Sequence, residues 1–90
     1  MTRIWYIYIL RSLKDGNHYV GMTTDLSRRL REHNSGNVRS TKARAPFILV
    51  HTEQQEDISA ARAREKYFKS GAGRRWISTN LRLGVPRPPD

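Results

Sequence analysis

Ten residues lie between Tyr8 and Tyr19, and the stretch includes Lys14-Asp15-Gly16-Asn17, whose small and polar types suit a tight turn. Two short apolar segments flank it, residues 5–10 and 19–23, so the chain is committed to a β-hairpin near its start. Such a hairpin is not stable alone; it needs a third strand or a helix against its apolar face. In the first segment Trp5, Ile7 and Ile9 alternate with Tyr6, Tyr8 and Leu10. Either both faces are largely covered or one face holds a tyrosine site, and Tyr8 belongs to the second set. In the second segment Tyr19 and Gly21 share a face opposite His18, Val20 and Met22, and the glycine is expected to leave open space beside the tyrosine.

The rest of the chain supplies cover for that hairpin. Thr24 or Asp25 can cap a helix over residues 26–34, which Asn34-Ser35-Gly36 stops. Helical spacing puts Leu26, Leu30 and His33 on one face, with Arg29 beside them. Residues 37–46 carry Arg39, Ser40, Thr41, Lys42 and Arg44 and predict an exposed loop rich in phosphate donors. A third strand is expected over 47–52. Asp57 caps a helix from 58 to about 70, Gly71-Ala72-Gly73 is expected to break it, and a short helix over 74–80 follows. The proline-rich end, 84–90, cannot be helical and is expected to be a frayed tail behind a single domain spanning 1–83.

Composition bounds the partner. The chain has 90 residues and a net charge of +9, from 17 Lys plus Arg against 8 Asp plus Glu. Most of the cations are arginine, whose planar fork meets phosphate in two places at once. A polyanion fits that balance. Cysteine is absent, which excludes disulfide staples and thiolate chemistry and leaves oxygen and nitrogen groups to do any work. The longest apolar run is too short to span a membrane, and no secretory leader is evident, so a cytoplasmic protein with no membrane partner is expected.

One carboxylate needs a reason. Ile58, Ala61, Glu65 and Phe68 follow helical spacing, which places Glu65 in the middle of the stripe expected to be buried. An ion pair with Arg29, an i to i+4 pair with Lys69, or a divalent cation would each satisfy it.

The ordered series Tyr6-Ile7-Tyr8, Tyr19-Val20-Gly21, the arginine helix over 25–34 and Ala61-Arg62-Ala63-Arg64-Glu65-Lys66 resembles the GIY-YIG nuclease family. The later 65–71 stretch and Gly73-Arg74-Arg75 are similar to its small stand-alone bacterial members, so the resemblance runs over residues 5–83. Tyr6 stands where the first motif has glycine, Val20 where the second has isoleucine, and Met22 where some relatives carry lysine. A family asparagine near the C-terminus matches Asn80 only loosely.

The resemblance implies an α+β fold, a three-stranded antiparallel sheet flanked by helices. It also implies a metal-dependent endonuclease acting on nucleic acid, DNA ahead of RNA. Its catalytic set would be Tyr8, Tyr19, Arg29, His33 and Glu65, with Glu65 holding one Mg2+ or Mn2+ ion. Tyr8 would be the base and Tyr19 would orient the water. His33 would hydrogen-bond the phosphate or relay a proton, unless it merely packs on Leu30. Arg28, Arg39, Lys42, Arg44, Arg74 and Arg75 would grip the strand, and a protein partner could supply specificity. An idle nucleic-acid-binding or ribosome-associated module on the same fold is the alternative.

Overall fold

A computed structural model describes residues 3–81; the expected domain edge at 83 and the 84–90 tail lie outside the described residues. Strands β1 (Trp5–Ser12), β2 (His18–Thr23) and β3 (Phe47–Gln55) form one antiparallel sheet in the order β2-β1-β3. Helices α1 (Leu26–Asn34), α2 (Ile58–Lys69) and α3 (Gly71–Asn80) accompany it, with a single 3-10 turn at Lys42–Arg44. This is the expected α+β arrangement. No helix among the described residues is long and apolar enough to cross a membrane.

The hairpin turn forms for local reasons. Ser12 Oγ accepts from the backbone N–H of Lys14 and Asp15 at 3.0 and 3.1 Å, and Asp15 Oδ1 accepts from Asn17 N at 2.8 Å. Gly16 takes the left-handed φ of 76° that closes the turn. Pairing sets Tyr8 opposite Gly21 and Leu10 opposite Tyr19. On the other side Tyr8 faces Thr52, and the register shifts between Ile9 and Leu10.

Because side chains alternate, β1 feeds two cores. Ile7, Ile9 and Val20 pack with Ala61, Phe68, Ile77 and Leu81 beneath α2 and α3. Tyr8, Leu10 and Phe47 pack with Tyr19, Leu26 and Leu30 beneath α1. Asp25 caps α1 by accepting from Arg28 N at 3.0 Å. Asp57 caps α2 through Ser59 N.

Three boundaries differ from expectation. The third strand runs on to Gln55, because the ladder along β1 continues to Trp5 and gives the backbone of Glu53 and Gln54 its partners. Gly71-Ala72-Gly73 is the first turn of α3 rather than a break; Ser70 ends α2 and caps α3, its Oγ accepting from Gly73 N at 3.2 Å. The 37–46 segment is not wholly exposed. Val38 and Thr41 are buried, and Arg44 is tied down by an ion pair to Asp15 at 3.3 Å and a hydrogen bond to the His18 carbonyl.

Candidate active site

Tyr8 is central in the middle strand, and its ring lies across the neighbouring strand at Gly21. A Cβ there would fall on the phenol's Oη and Cζ, so the space expected to be open for a ligand is filled by Tyr8 itself. Glycine is required at that position for the hydroxyl to reach α1. Two side chains of α1 meet it: Arg29 Nε donates to it at 3.4 Å, and His33 Nε2 lies 3.0 Å away. Arg29 and His33 lie four residues apart, one helical turn. Arg29 is held from its far side by Glu32, Nη1 to Oε1 at 3.0 Å.

His33 has no exposed surface, and its other nitrogen, Nδ1, is 2.8 Å from Thr41 Oγ1. Thr41 donates its hydrogen to the Val38 carbonyl at 3.4 Å. It therefore accepts from Nδ1–H, which leaves Nε2 to accept from the Tyr8 hydroxyl. Burial, aided by the Arg29 charge, pushes the imidazole down to about 4. Burial likewise raises the Tyr8 phenol above its ordinary value, against the pull of the Arg29 hydrogen bond. The expected hydrogen bond from His33 to phosphate is not available, since both ring nitrogens are already engaged. Packing on Leu30 alone does not describe it either.

Tyr19 is half-buried on the same face, its ring centroid 6.3 Å from that of Tyr8 and 4.9 Å from His33. Glu65 comes from α2, on the opposite side of the sheet, yet its charge reaches Tyr8 and contributes to raising the phenol. Its side chain is 24 % exposed and pairs with Lys69 Nζ at 3.3 Å, the i to i+4 alternative. Arg29 is not its partner. Nor is Glu65 in the middle of a buried stripe: Ala61 and Phe68 are fully buried, but Ile58 is exposed and Glu65 flanks the line. Among the described residues no three His, Asp or Glu side chains cluster as a metal cage, so a cation at Glu65 would rely on water and substrate oxygens for its other ligands.

The presumed gripping residues divide. Arg39, Lys42, Arg74 and Arg75 are exposed, and Arg28 is exposed with a long 3.8 Å pair to Glu32. Arg44 is a brace for the hairpin turn; its Nε meets Asp15 at 3.3 Å without hydrogen-bond alignment. Sequence reasoning missed Thr41 and Glu32. Glu32, three residues after Arg29, could have been found from helical spacing, whereas Thr41 lies in a loop with no period to reveal it.

The model of the GIY-YIG catalytic domain matches residues 4–76. A UPF0213 protein of Desulfotalea psychrophila is 42 % identical over 67 residues, 72 % of this chain and 60 % of that protein. The match thus spans less than two thirds of that relative. A UPF0213 protein of Haloquadratum walsbyi is 46 % identical over 71 residues, 78 % of this chain and 79 % of the relative. The solution NMR structure of a UPF0213 protein from Bacillus halodurans, 36 % identical, superposes with a TM-score of 0.55 over 92 % of this chain and 88 % of that one.

Proposed function

The chain belongs to the GIY-YIG family, a family of nucleases, and from that premise we propose that it is a divalent-cation-dependent endonuclease hydrolysing phosphodiester bonds, in DNA ahead of RNA. The observation that carries this reading is the buried Tyr8 hydroxyl set between a guanidinium and an imidazole. Packing alone needs no such chain of polar groups, and each would cost stability if it were unpaired.

Glu65 fits a single hard cation. It is open to water on one side, its ion pair is with a lysine that is 54 % exposed, and magnesium binds through one or two carboxylates while keeping waters. Mg2+ or Mn2+ bound there would polarise the scissile phosphate and stabilise the departing 3′ oxygen. Arg29, one third exposed, offsets charge gathering on the non-bridging oxygens.

Tyr8 takes the proton of the attacking water as its own hydroxyl proton passes to His33 Nε2, and Tyr19 orients that water. With the phenol above its ordinary value of about 10 and the imidazole near 4, passing the phenol's proton to His33 in the resting site would cost more than about 8 kcal/mol. His33 therefore acts first by holding the hydroxyl hydrogen, which turns the free lone pair of Oη toward the water. A relay through Nε2 needs the substrate's negative charge in place to raise its proton affinity.

The test is cleavage of plasmid and oligonucleotides with Mg2+ against EDTA. Glu65→Gln should abolish cleavage and leave binding nearly intact, since the amide keeps the shape and loses the charge. Cleavage at the wild-type rate would overturn the cation assignment. If the wild type itself cuts no faster than its EDTA control, the chain is an idle nucleic-acid-binding module. A protein partner that supplies sequence or structure preference is compatible with this site.

A further inference from the structure

The Tyr8 hydroxyl opens a chain of polar groups that ends in the loop after α1. Tyr8 is 2 % exposed, and His33 and Thr41 have no exposed surface, so each hydrogen on the chain must find its acceptor inside the protein. Among the described residues the partners of Tyr8 Oη are Arg29, which can only donate, and His33 Nε2. The phenol's hydrogen therefore goes to Nε2. At pH 7 the imidazole is neutral and carries a single hydrogen, which the bond from Tyr8 assigns to Nδ1. Thr41 Oγ1 accepts it at 2.8 Å and turns its own hydrogen to the Val38 carbonyl. Both ends of the chain thus demand the same tautomer.

Thr41 is the fixed end of this chain. Its N–H donates to the Val38 carbonyl at 3.1 Å and its carbonyl accepts from Arg44 N at 2.9 Å, while the Arg44 side chain is braced against Asp15 and the His18 carbonyl. The hydroxyl is therefore held by a turn that is itself tied to the β1–β2 hairpin. We propose that Thr41 is a positioning residue of the cleavage site: by keeping the hydrogen of His33 on Nδ1, it leaves Nε2 open to Tyr8. The role in cleavage rests on the nuclease reading; the placement of the hydrogen does not. An open Nε2 receives the phenol's hydrogen as Oη takes one from the attacking water. That leaves hydroxide to attack the phosphorus, a neutral phenol, and an imidazolium whose two hydrogens face Tyr8 and Thr41. In the other tautomer Nε2–H would donate to Oη, occupy the lone pair that must meet the water and leave the phenol's hydrogen without an acceptor.

The experiment reads the tautomer at pH 7 from the NMR shifts of the ring nitrogens in the full chain. There are three histidines, and the His33 signals are identified by their loss in His33→Gln. In the wild type Nδ1 should be the protonated nitrogen and Nε2 the bare one. Thr41→Val keeps the shape and removes the acceptor. It should move the hydrogen to Nε2 and lower the single-turnover cleavage rate at least about ten-fold, while affinity for the strand changes less than about two-fold. Thr41→Ser restores a hydroxyl and should return the Nδ1–H signature together with at least about a third of the rate. Thr41→Ala also removes the acceptor and serves where Thr41→Val does not fold. Arg39→Ala/Lys42→Ala changes the same loop outside the chain of polar groups and should weaken binding without moving the hydrogen.

A wild type with the hydrogen on Nε2 overturns the proposal before any variant is made. So does a Thr41→Val protein that keeps Nδ1–H, or one that moves the hydrogen and still cleaves at the wild-type rate. A Thr41→Ser protein as slow as Thr41→Val overturns it as well. The nuclease reading fails separately. If the wild type never cuts, movement of the hydrogen in Thr41→Val still makes Thr41 the keeper of the His33 tautomer, whereas metal-dependent cleavage that Thr41→Val leaves untouched removes the role of Thr41 alone.

Discussion

At the scale of single residues, His33 links the site to stability. The imidazole is buried and its proton affinity is lowered to about 4, chiefly by desolvation, whereas an unfolded chain would titrate near 6.5. Protons therefore bind the unfolded state first. The contribution is full above about pH 6.5 and is lost as the pH falls toward 4, roughly 2 kcal/mol of it between pH 7 and pH 5. His18 shifts the same way, so the comparison must isolate one histidine. Urea unfolding of wild type and His33→Gln at pH 7 and pH 5 does so: the variant should lose markedly less on acidification. Equal losses would mean that His33 is protonated in the fold. Tyr8→Phe tests the neighbouring group. Single-turnover cleavage should fall at least about a hundred-fold while affinity measured by anisotropy holds. The change also orphans His33 Nε2, at a cost of about 1–3 kcal/mol, so rates belong at a temperature where the variant is folded. A matching fall in affinity, with no separate loss of rate, would make Tyr8 a substrate contact.

At the scale of elements, two glycines decide how closely the parts approach. At Gly73 a Cβ would run into the Tyr67 carbonyl and the Phe68 backbone, and backbone cannot swing aside. Gly73→Ala should force α3 away from α2 and cost more than about 2 kcal/mol, seen as a lowered thermal midpoint. An unchanged midpoint would mean that the join between the helices is loose. At Gly21 the obstacle is the Tyr8 ring, a side chain, so Gly21→Ala should displace the phenol and lose cleavage rate more than stability. The helices and the hairpin were legible because caps, turn residues and a 3.6 or 2.0 period are local signals, and they sufficed to bring Tyr8, Arg29 and His33 to one face. What stayed hidden depends on contacts across the fold. Nothing in Gly71-Ala72-Gly73 announces a helix, since glycine there serves close packing. Glu65 follows the apolar period of α2, but whether it is covered depends on where α2 crosses the sheet. Thr41 becomes a partner of His33 only through the path of an aperiodic loop.

At the scale of the whole molecule, charge and topology set what can approach. The net charge of +9 draws nucleic acid from any direction, and Arg39 and Lys42 are exposed in the loop after α1 to meet its backbone. With Arg44 committed to Asp15, the double variant Arg39→Ala/Lys42→Ala is the clean test. It should flatten the slope of log affinity against log salt by about 1.4 to 1.8, two contacts at 0.7 to 0.9 each, alike on unrelated sequences. A wild-type slope, or a loss on one sequence alone, would remove the loop from the grip. The two-sided packing of β1 has a practical corollary. With helices over both broad faces of the sheet, only the rim is left for an attachment that disturbs neither core. The outer edge of β3 is vacant, and Gln54 near the end of that strand, opposite Tyr6 and not Tyr8, is exposed. Since the chain has no cysteine, a lone thiol at Gln54→Cys would be a unique handle. A dye or a tether placed there lets binding be watched from the β3 edge.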